Sequence, residues 1–194
     1  MSRPLRALIL AGFVAGCGGG SGNFAAPRDL DNACAIVAEH PSYLRAFQRI
    51  QRQHGILPET LMAMIYQESK FIGNARTPFV WTLGVIPAGR QSSAYGFSQA
   101  LDGTWEEYQA ATGNRRHRRD DINDAVDFMA WYMGLTVERN GIPLNDVRNQ
   151  YLAYHDGHSG YSRGTWRRKA WLIRVAGELE QRQALYGAQL RSCT

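Results

Sequence analysis

The chain has 194 residues, of which 44% are hydrophobic and 20% are charged. These values are ordinary for a packed globular protein and exclude a chain that is disordered throughout. The length suits one domain with accessory ends. The formal net charge is +5. Because the first sixteen residues hold two of the 22 basic residues and none of the 17 acidic ones, the remainder carries +3, a mild surplus that favours anionic polymers.

The N-terminus has the pattern of a secretory signal. Arg3 and Arg6 make a basic start, and a short apolar run follows them. The run is too short for a permanent membrane-spanning helix. Residues 14–17, Val-Ala-Gly-Cys, resemble the bacterial lipobox, whose cysteine is lipidated and becomes the first residue of the mature protein. An ordinary signal peptide that is cut nearby is the alternative.

We therefore predict a signal peptide over 1–16, a lipidated Cys17 with a flexible tether over 17–30, and one domain over 31–194. The expected location is the cell envelope, with the lipid anchor in the outer membrane and the domain facing the periplasm. Export implies an oxidising compartment. Cys34 and Cys193 are then expected to form a disulfide, with two free thiols as the alternative. The sequence leaves the oligomeric state open.

Helical spacing of apolar residues dominates the predicted domain. Helices are expected over 41–54, 58–70, 104–111, 123–140, 144–155 and 165–186. Residues 71–98 are rich in Gly, Pro and Ser, and 79–86 within them predict a short strand or hairpin. So long an irregular segment in a compact domain indicates function. The predicted fold class is mostly α with a short irregular or β segment.

One acidic residue lies on the apolar side of a predicted helix. Leu61, Met64, Ile65 and Glu68 share one stripe of the helix over 58–70. A carboxylate in apolar surroundings costs free energy unless it is paired or protonated. Desolvation raises its pKa, which is what a general acid at neutral pH requires. An exposed glutamate at a frayed helix end, or one paired with an arginine, is the alternative.

Three short motifs follow one another along the chain. They are Glu-Ser at 68–69, Tyr-Gly-Phe-Ser-Gln at 95–99 and Ala-Tyr-His-Asp-Gly at 153–157. Together they resemble the lysozyme-like domain of soluble lytic transglycosylases, glycoside hydrolase family 23. That family has Glu-Ser at a helix end, then Gly-Leu-Met-Gln, then Ala-Tyr-Asn-x-Gly. The resemblance spans about 56–157 and implies a lysozyme-like fold.

The resemblance also implies roles for single residues. Glu68 is expected to be the catalytic acid and base, and Tyr154 to orient it through a hydrogen bond from its hydroxyl. Gly96 is expected to let the backbone approach a sugar, and Tyr95 and Phe97 to stack on sugar rings or to pack in the core. The full set of implied substrate contacts is Ser69, Tyr95, Gly96, Phe97, Ser98, Gln99 and His155. The chain departs from the family pattern at Phe97, Ser98 and His155.

The implied reaction is cleavage of peptidoglycan between N-acetylmuramic acid and N-acetylglucosamine, with a 1,6-anhydromuramoyl end and no cofactor. Two alternatives stay open: a hydrolytic muramidase, and a non-catalytic peptidoglycan-binding lipoprotein. Asp102 and Asp156 are the candidates for a second carboxylate. The basic residues within 114–119 resemble a nucleic-acid patch, but export favours contact with peptidoglycan carboxylates and no nucleic acid. His155, Asp156 and His158 lack metal-ligand spacing, so no metal is expected.

Overall fold

The computed structural model describes residues 24–82 and 86–193. The predicted signal peptide, the predicted lipidation site Cys17 and residues 18–23 of the tether lie outside the described residues. In the described part of the chain, no helix is long and apolar enough to cross a membrane.

The described residues are mostly helical, and the predicted lysozyme-like fold class is confirmed. A 3-10 turn at Thr165–Arg168 precedes the last helix. The α-helices are α1 (Ala33–Glu39), α2 (Pro41–His54), α3 (Pro58–Ser69), α4 (Asp102–Thr112), α5 (Ile122–Asn140), α6 (Val147–Asp156), α7 (His158–Arg163) and α8 (Ala170–Cys193).

The helices with clear start and stop residues lie where the sequence predicts them. Pro41 begins α2, and Gly55 ends it with a φ of 75°, a left-handed conformation that glycine adopts without strain. Helix α4 begins at Asp102, two residues before the predicted Thr104. No side chain among the described residues caps its N-terminus. Helices α1 and α7 were not predicted, because seven and six residues are too few to show a helical period.

Helix α3 is the central helix of the domain. Its residues from Leu61 to Ile65 are all 0% exposed, as expected of a helix that other elements surround. It packs against α2 on one side and α8 on another. Helix α6 packs against α5 and α8. This packing places the last turn of α3 beside tyrosines of α6.

A two-stranded hairpin leads from α3 towards α4. Strands β1 (Phe79–Thr82) and β2 (Ile86–Arg90) pair antiparallel, with a register shift between Val80 and Trp81. The hairpin predicted over 79–86 is therefore present but extends further, while the connecting residues 83–85 lie outside the described part. Phe79, Val80 and Trp81 are 46%, 43% and 55% exposed.

The two ends of the domain are joined covalently. Cys34 of α1 and Cys193 of α8 form a disulfide, the pairing expected from the sequence. Close by, the amide of Ala33 donates a hydrogen bond of 2.7 Å to the side chain of Gln189. The short helix α1 is thereby fixed to α8.

Candidate active site

Glu68 lies on the last turn of α3 and is half-buried. Burial raises the pKa of its carboxyl to about 7, although a hydrogen bond with Tyr151 and the charge of Lys70 oppose part of this rise. A carboxyl with such a pKa still holds its proton in much of the neutral range. It can therefore protonate a leaving group and later accept a proton, as general acid–base catalysis requires.

The backbone immediately after Glu68 is strained. Lys70 and Phe71 have φ angles of 52° and 62°, in the left-handed region that residues other than glycine seldom occupy. Phe71 is 0% exposed and stacks on Tyr43, with ring centroids 5.9 Å apart. Burial of this ring holds the turn in place and ends α3 next to Glu68.

The tyrosine that hydrogen-bonds Glu68 is Tyr151, which the sequence analysis missed. Tyr151 is 3% exposed and makes side-chain hydrogen bonds with both Glu68 and Gln67. The signal that points to it is its place three residues before Tyr154, since residues three apart share a helix face. Tyr151 therefore makes the contact with Glu68 that the sequence assigned to Tyr154.

The expected hydrogen bond from Tyr154 to Glu68 is wrong. The Tyr154 hydroxyl donates to the backbone carbonyl of Ser98 at 2.7 Å. The pKa of Tyr154 is raised, first by burial and then by the charge of Glu68, so its side chain still lies within the electrostatic reach of Glu68. Its hydroxyl connects α6 to the loop that holds the second motif.

That loop uses its polar groups to hold itself together. The Gln99 amide donates to the backbone carbonyls of Ala75 at 3.1 Å and Gly96 at 2.8 Å. Gly96 has a φ of 80°, and a Cβ added there would lie 2.0 Å from the Arg119 carbonyl oxygen. The backbone that approaches Gly96 in this structure is that of Arg119, and the expected approach of a sugar stays a prediction.

The two aromatic residues of this loop also have protein partners. The Tyr95 hydroxyl donates to Asp120 at 3.0 Å, and the Arg76 guanidinium lies 4.2 Å from the centroid of the Tyr95 ring. Phe97 is 3% exposed and meets the Tyr43 ring edge-on at 5.7 Å. Phe97 therefore packs in the core, one of the two roles expected for it, while its contact with a sugar stays a prediction.

The two predicted substrate-binding serines face inward. Ser69 is 5% exposed, and its hydroxyl donates to the Ile65 carbonyl at 3.2 Å. Ser98 is 0% exposed, and its hydroxyl makes no hydrogen bond with any described residue. Both side chains are thus buried in this structure, and their expected substrate contacts stay predictions.

The second and third motifs meet around a pocket of about 270 Å³, which Gln99, Tyr154 and His155 help to line. His155 lies edge-on to the exposed ring of Trp171, with centroids 4.9 Å apart. Burial, followed by the nearby charge of Lys169, lowers the pKa of His155. The structure thus brings three predicted site residues, Gln99, Tyr154 and His155, together around one pocket.

The two candidates for a second carboxylate are already engaged. Asp102 forms an ion pair with Arg119 at 2.7 Å. Asp156 bonds both Lys169 and Thr165. Burial alone would raise the pKa of Asp156, but these two hydrogen bonds lower it overall. Both side chains are therefore held by partners other than Glu68.

The basic stretch and one polar cluster next to it have structural partners. Arg118 forms a two-point ion pair with Asp120, at 2.9 and 3.0 Å. Among the described residues, His117, Asp124 and Asp127 lie close enough together to hold a metal ion, a group that the sequence did not single out. Asp127 pairs with Arg49 at 2.6 Å, and the His117 ring shares a hydrogen bond with Tyr108. These partners account for the cluster.

A mostly helical domain whose central helix ends in a carboxyl with a raised pKa is consistent with the class of lysozyme-like enzymes, which cut glycan strands. The family described as Transglycosylase SLT domain matches residues 5–193. The chain therefore belongs to this family, and the resemblance predicted from its motifs is confirmed. Its function is peptidoglycan cleavage of the lytic transglycosylase type, and peptidoglycan is its substrate. Comparison with curated proteins and with solved structures gave no match.

Proposed function

We propose that Glu68 is the general acid and base that cleaves the β-1,4 bond between N-acetylmuramic acid and N-acetylglucosamine. The observation that carries this proposal is the raised pKa of its carboxyl, about 7, at the end of the central helix. Tyr151 is a positioning residue, because its hydrogen bond fixes the direction of the carboxyl. The pocket beside Gln99, Tyr154 and His155 receives a sugar.

The reaction proceeds in two proton transfers. Glu68 first gives its proton to the oxygen of the leaving N-acetylglucosamine while the bond from that oxygen to C1 of the muramic acid breaks. The carboxylate then removes the proton from the 6-hydroxyl of the same muramic acid as this oxygen bonds to C1. The product has a 1,6-anhydromuramoyl end, Glu68 regains its proton, and no water is consumed. The acetamido group of the sugar can stabilise C1 between the two transfers.

The alternative, hydrolysis, needs a second carboxylate. Glycosidases with two carboxylates place the second about 5 to 9.5 Å from the acid, as a nucleophile or to activate water. Here Asp102 pairs with Arg119, and Asp156 with Lys169 and Thr165. Recruiting either one would mean breaking these bonds. The intramolecular route avoids that cost, and this supports the anhydro product.

Mass spectrometry of digested glycan strands tests the product. We expect muropeptides that are lighter by one water than those of a hydrolytic enzyme, and none from the Glu68→Gln variant in the same assay. Reducing muramic ends as the main product would overturn the anhydro route and direct mutation to Asp102 and Asp156. Binding to peptidoglycan without any cleavage would instead favour the non-catalytic lipoprotein.

We also propose that Cys17 is lipidated and anchors the domain in the cell envelope, facing the periplasm from the outer membrane. The support is the sequence Val-Ala-Gly-Cys at 14–17 after a short apolar run. The glycine-rich residues after Cys17 would act as a flexible tether. Labelled fatty acid should enter the wild type but not Cys17→Ser, which should leave the membrane fraction. A wild-type protein without label would contradict the anchor.

A further inference from the structure

A second pocket lies between α3 and α8, and we propose that it binds a carboxylate of the peptide stems that peptidoglycan carries. This proposal rests on the proposed function, because it concerns the same substrate on the same enzyme. The pocket has a volume of about 400 Å³. Lys70 and Arg182 supply two cations, Gln67 supplies an amide, Tyr66 supplies an aromatic surface, and Glu178 adds a carboxylate.

The ammonium group of Lys70 is the first reason. It lies 3.7 Å from the centroid of the Tyr66 ring. In the part of the chain that the structure describes, it makes no hydrogen bond and has no carboxylate within ion-pair distance. Its charge is thus balanced only by an aromatic ring and by the more distant Glu68 and Glu178. A half-buried ammonium without a close anion favours a ligand that supplies one.

The second reason is another cation at the same ring. The guanidinium of Arg182 lies 3.4 Å from the Tyr66 centroid, and its own ion pair with Asp31, at 2.8 Å, offsets its charge. Burial lowers the pKa of Lys70, and the charge of Arg182 lowers it further. The two cations lie against the same aromatic ring and therefore repel each other. An anion bound in the pocket beside Lys70 would offset this repulsion.

The pocket is one side chain away from the proposed catalytic acid. Gln67 lines the pocket and hydrogen-bonds Tyr151, which in turn hydrogen-bonds Glu68. An extended peptide advances roughly 3.3 to 3.6 Å per residue. The stem of a muramic acid bound at Glu68 is therefore the part of the substrate that we propose reaches this pocket.

The other lining groups favour a peptide carboxylate over phosphate. Glu178 lies at the exposed side of the pocket and carries a negative charge that opposes a doubly charged anion. The amides of Gln67 and Gln181 can donate to and accept from peptide groups. Leu179 and Leu185 supply apolar surface for small side chains of a stem.

The test compares glycan strands that keep their stems with strands from which an amidase has removed them. The measured quantity is the ratio of kcat/KM on the first substrate to kcat/KM on the second. Lys70→Met removes the charge and keeps most of the length, and we expect this ratio to fall about tenfold, the loss of one charge-assisted hydrogen bond. The exposed α8 residue Arg174 provides the control, because Arg174→Met removes a cation outside the pocket and should leave the ratio unchanged.

A second variant is expected to bind the stem more tightly, so that its effect cannot be explained by misfolding. Glu178→Gln removes the charge that opposes the ligand, so the ratio should rise, which a damaged fold would not produce. A Lys70→Met enzyme that loses activity equally on both substrates would overturn the pocket and leave the proposed function intact. A wild type inactive on both substrates would contradict the proposed function itself. Inorganic phosphate is added as a probe for binding of a free anion. The proposal would also be overturned if the wild type had a ratio of one and if phosphate inhibited the wild type but not Lys70→Met.

Discussion

The end of α3 and the loop at 95–99 both hold motif residues, yet they use polar groups in opposite ways. At the end of α3, burial raises the pKa of the Glu68 carboxyl to about 7. The hydrogen bond with Tyr151 opposes part of this rise. In the loop, the Gln99 amide bonds Ala75 and Gly96, and Tyr95 bonds Asp120. The first region keeps a reactive group available, whereas the second is built to hold its own shape.

The difference shows that a family motif combines two kinds of residue. In the proposed mechanism Glu68 supplies the chemistry. Gly96 and Gln99 belong to a loop whose Ser98 carbonyl accepts a hydrogen bond from Tyr154. Mutations in the two regions should therefore fail differently. Changes at the end of α3 should remove activity and spare the fold, and changes in the loop should weaken the fold first.

The largest expected effect is that of Glu68→Gln on activity. Gln is nearly isosteric but cannot donate the acid proton, so cleavage should fall by about 10² to 10⁴. Glycan cleavage by zymography and by product release measures this loss, and circular dichroism verifies the fold. A variant with wild-type activity would remove Glu68 from the mechanism.

The same variant should change the pH dependence of stability. The pKa of Glu68 in the folded protein, about 7, is raised above its ordinary value of 4.5. Its contribution to stability is thus fully present below the unfolded pKa and is lost as the pH rises through 7. Thermal unfolding should show Glu68→Gln gaining on the wild type as the pH rises over this range. Parallel melting curves at every pH would contradict the raised pKa.

In the loop, Gly96→Ala should destabilise the protein by at least about 2 kcal/mol. The added Cβ would lie 2.0 Å from the Arg119 carbonyl oxygen, in a backbone with a φ of 80°. Gly134→Ala is the matched control, because nothing lies within 4 Å of its Cβ, and alanine should stabilise this helical position by about 0.5 to 1 kcal/mol. Chemical denaturation measures both. Equal stability of the two variants would refute the close approach at Gly96.

Tyr154→Phe should lower the stability of the protein, as changes in the loop do, because the Tyr154 hydroxyl connects α6 to the loop. It removes the hydrogen bond of 2.7 Å to Ser98 and leaves a buried carbonyl unpaired, which costs about 1 to 3 kcal/mol. The free energy of unfolding from denaturant titration should fall by this amount. A large loss of activity with unchanged stability would restore to Tyr154 the catalytic role that the sequence suggested.

Local signals in the sequence predict much of this molecule. Pro41 and Gly55 set the bounds of α2, and the apolar stripe from Leu61 identifies the helix that presents Glu68. Each of these signals lies within a few residues of what it determines. The family resemblance also rests on short motifs, and it identifies Glu68 among the 17 acidic residues of the chain.

The partners of the motif residues could not be predicted in the same way. The carbonyl that requires Gly96 belongs to Arg119, and whether Tyr151 or Tyr154 faces Glu68 depends on how α6 is rotated against α3. Such contacts join distant parts of the chain and leave no local pattern. The resemblance assigned sugar contacts to Phe97, whose side chain is in the core.

The smallest expected effect concerns Tyr151, and it separates orientation from acidity. The hydrogen bond from Tyr151 lowers the pKa of Glu68 and so opposes the effect of burial. Tyr151→Phe should therefore raise that pKa above 7 and move the high-pH limb of the activity profile upward, because the acid stays protonated to a higher pH. The maximal rate should fall modestly, since the carboxyl is less well oriented.

Tyr154→Phe is the control for this pH profile, because its hydroxyl bonds Ser98 and makes no hydrogen bond with Glu68. The high-pH limb of the Tyr154→Phe activity profile should stay at the wild-type pH, even though this variant is less stable than the wild type. If both variants move the limb equally, the shift reflects a general change in packing around Glu68. If only Tyr154→Phe moves it, the acid is tuned through α6 by Tyr154, and the assignment of Tyr151 as the positioning residue is wrong.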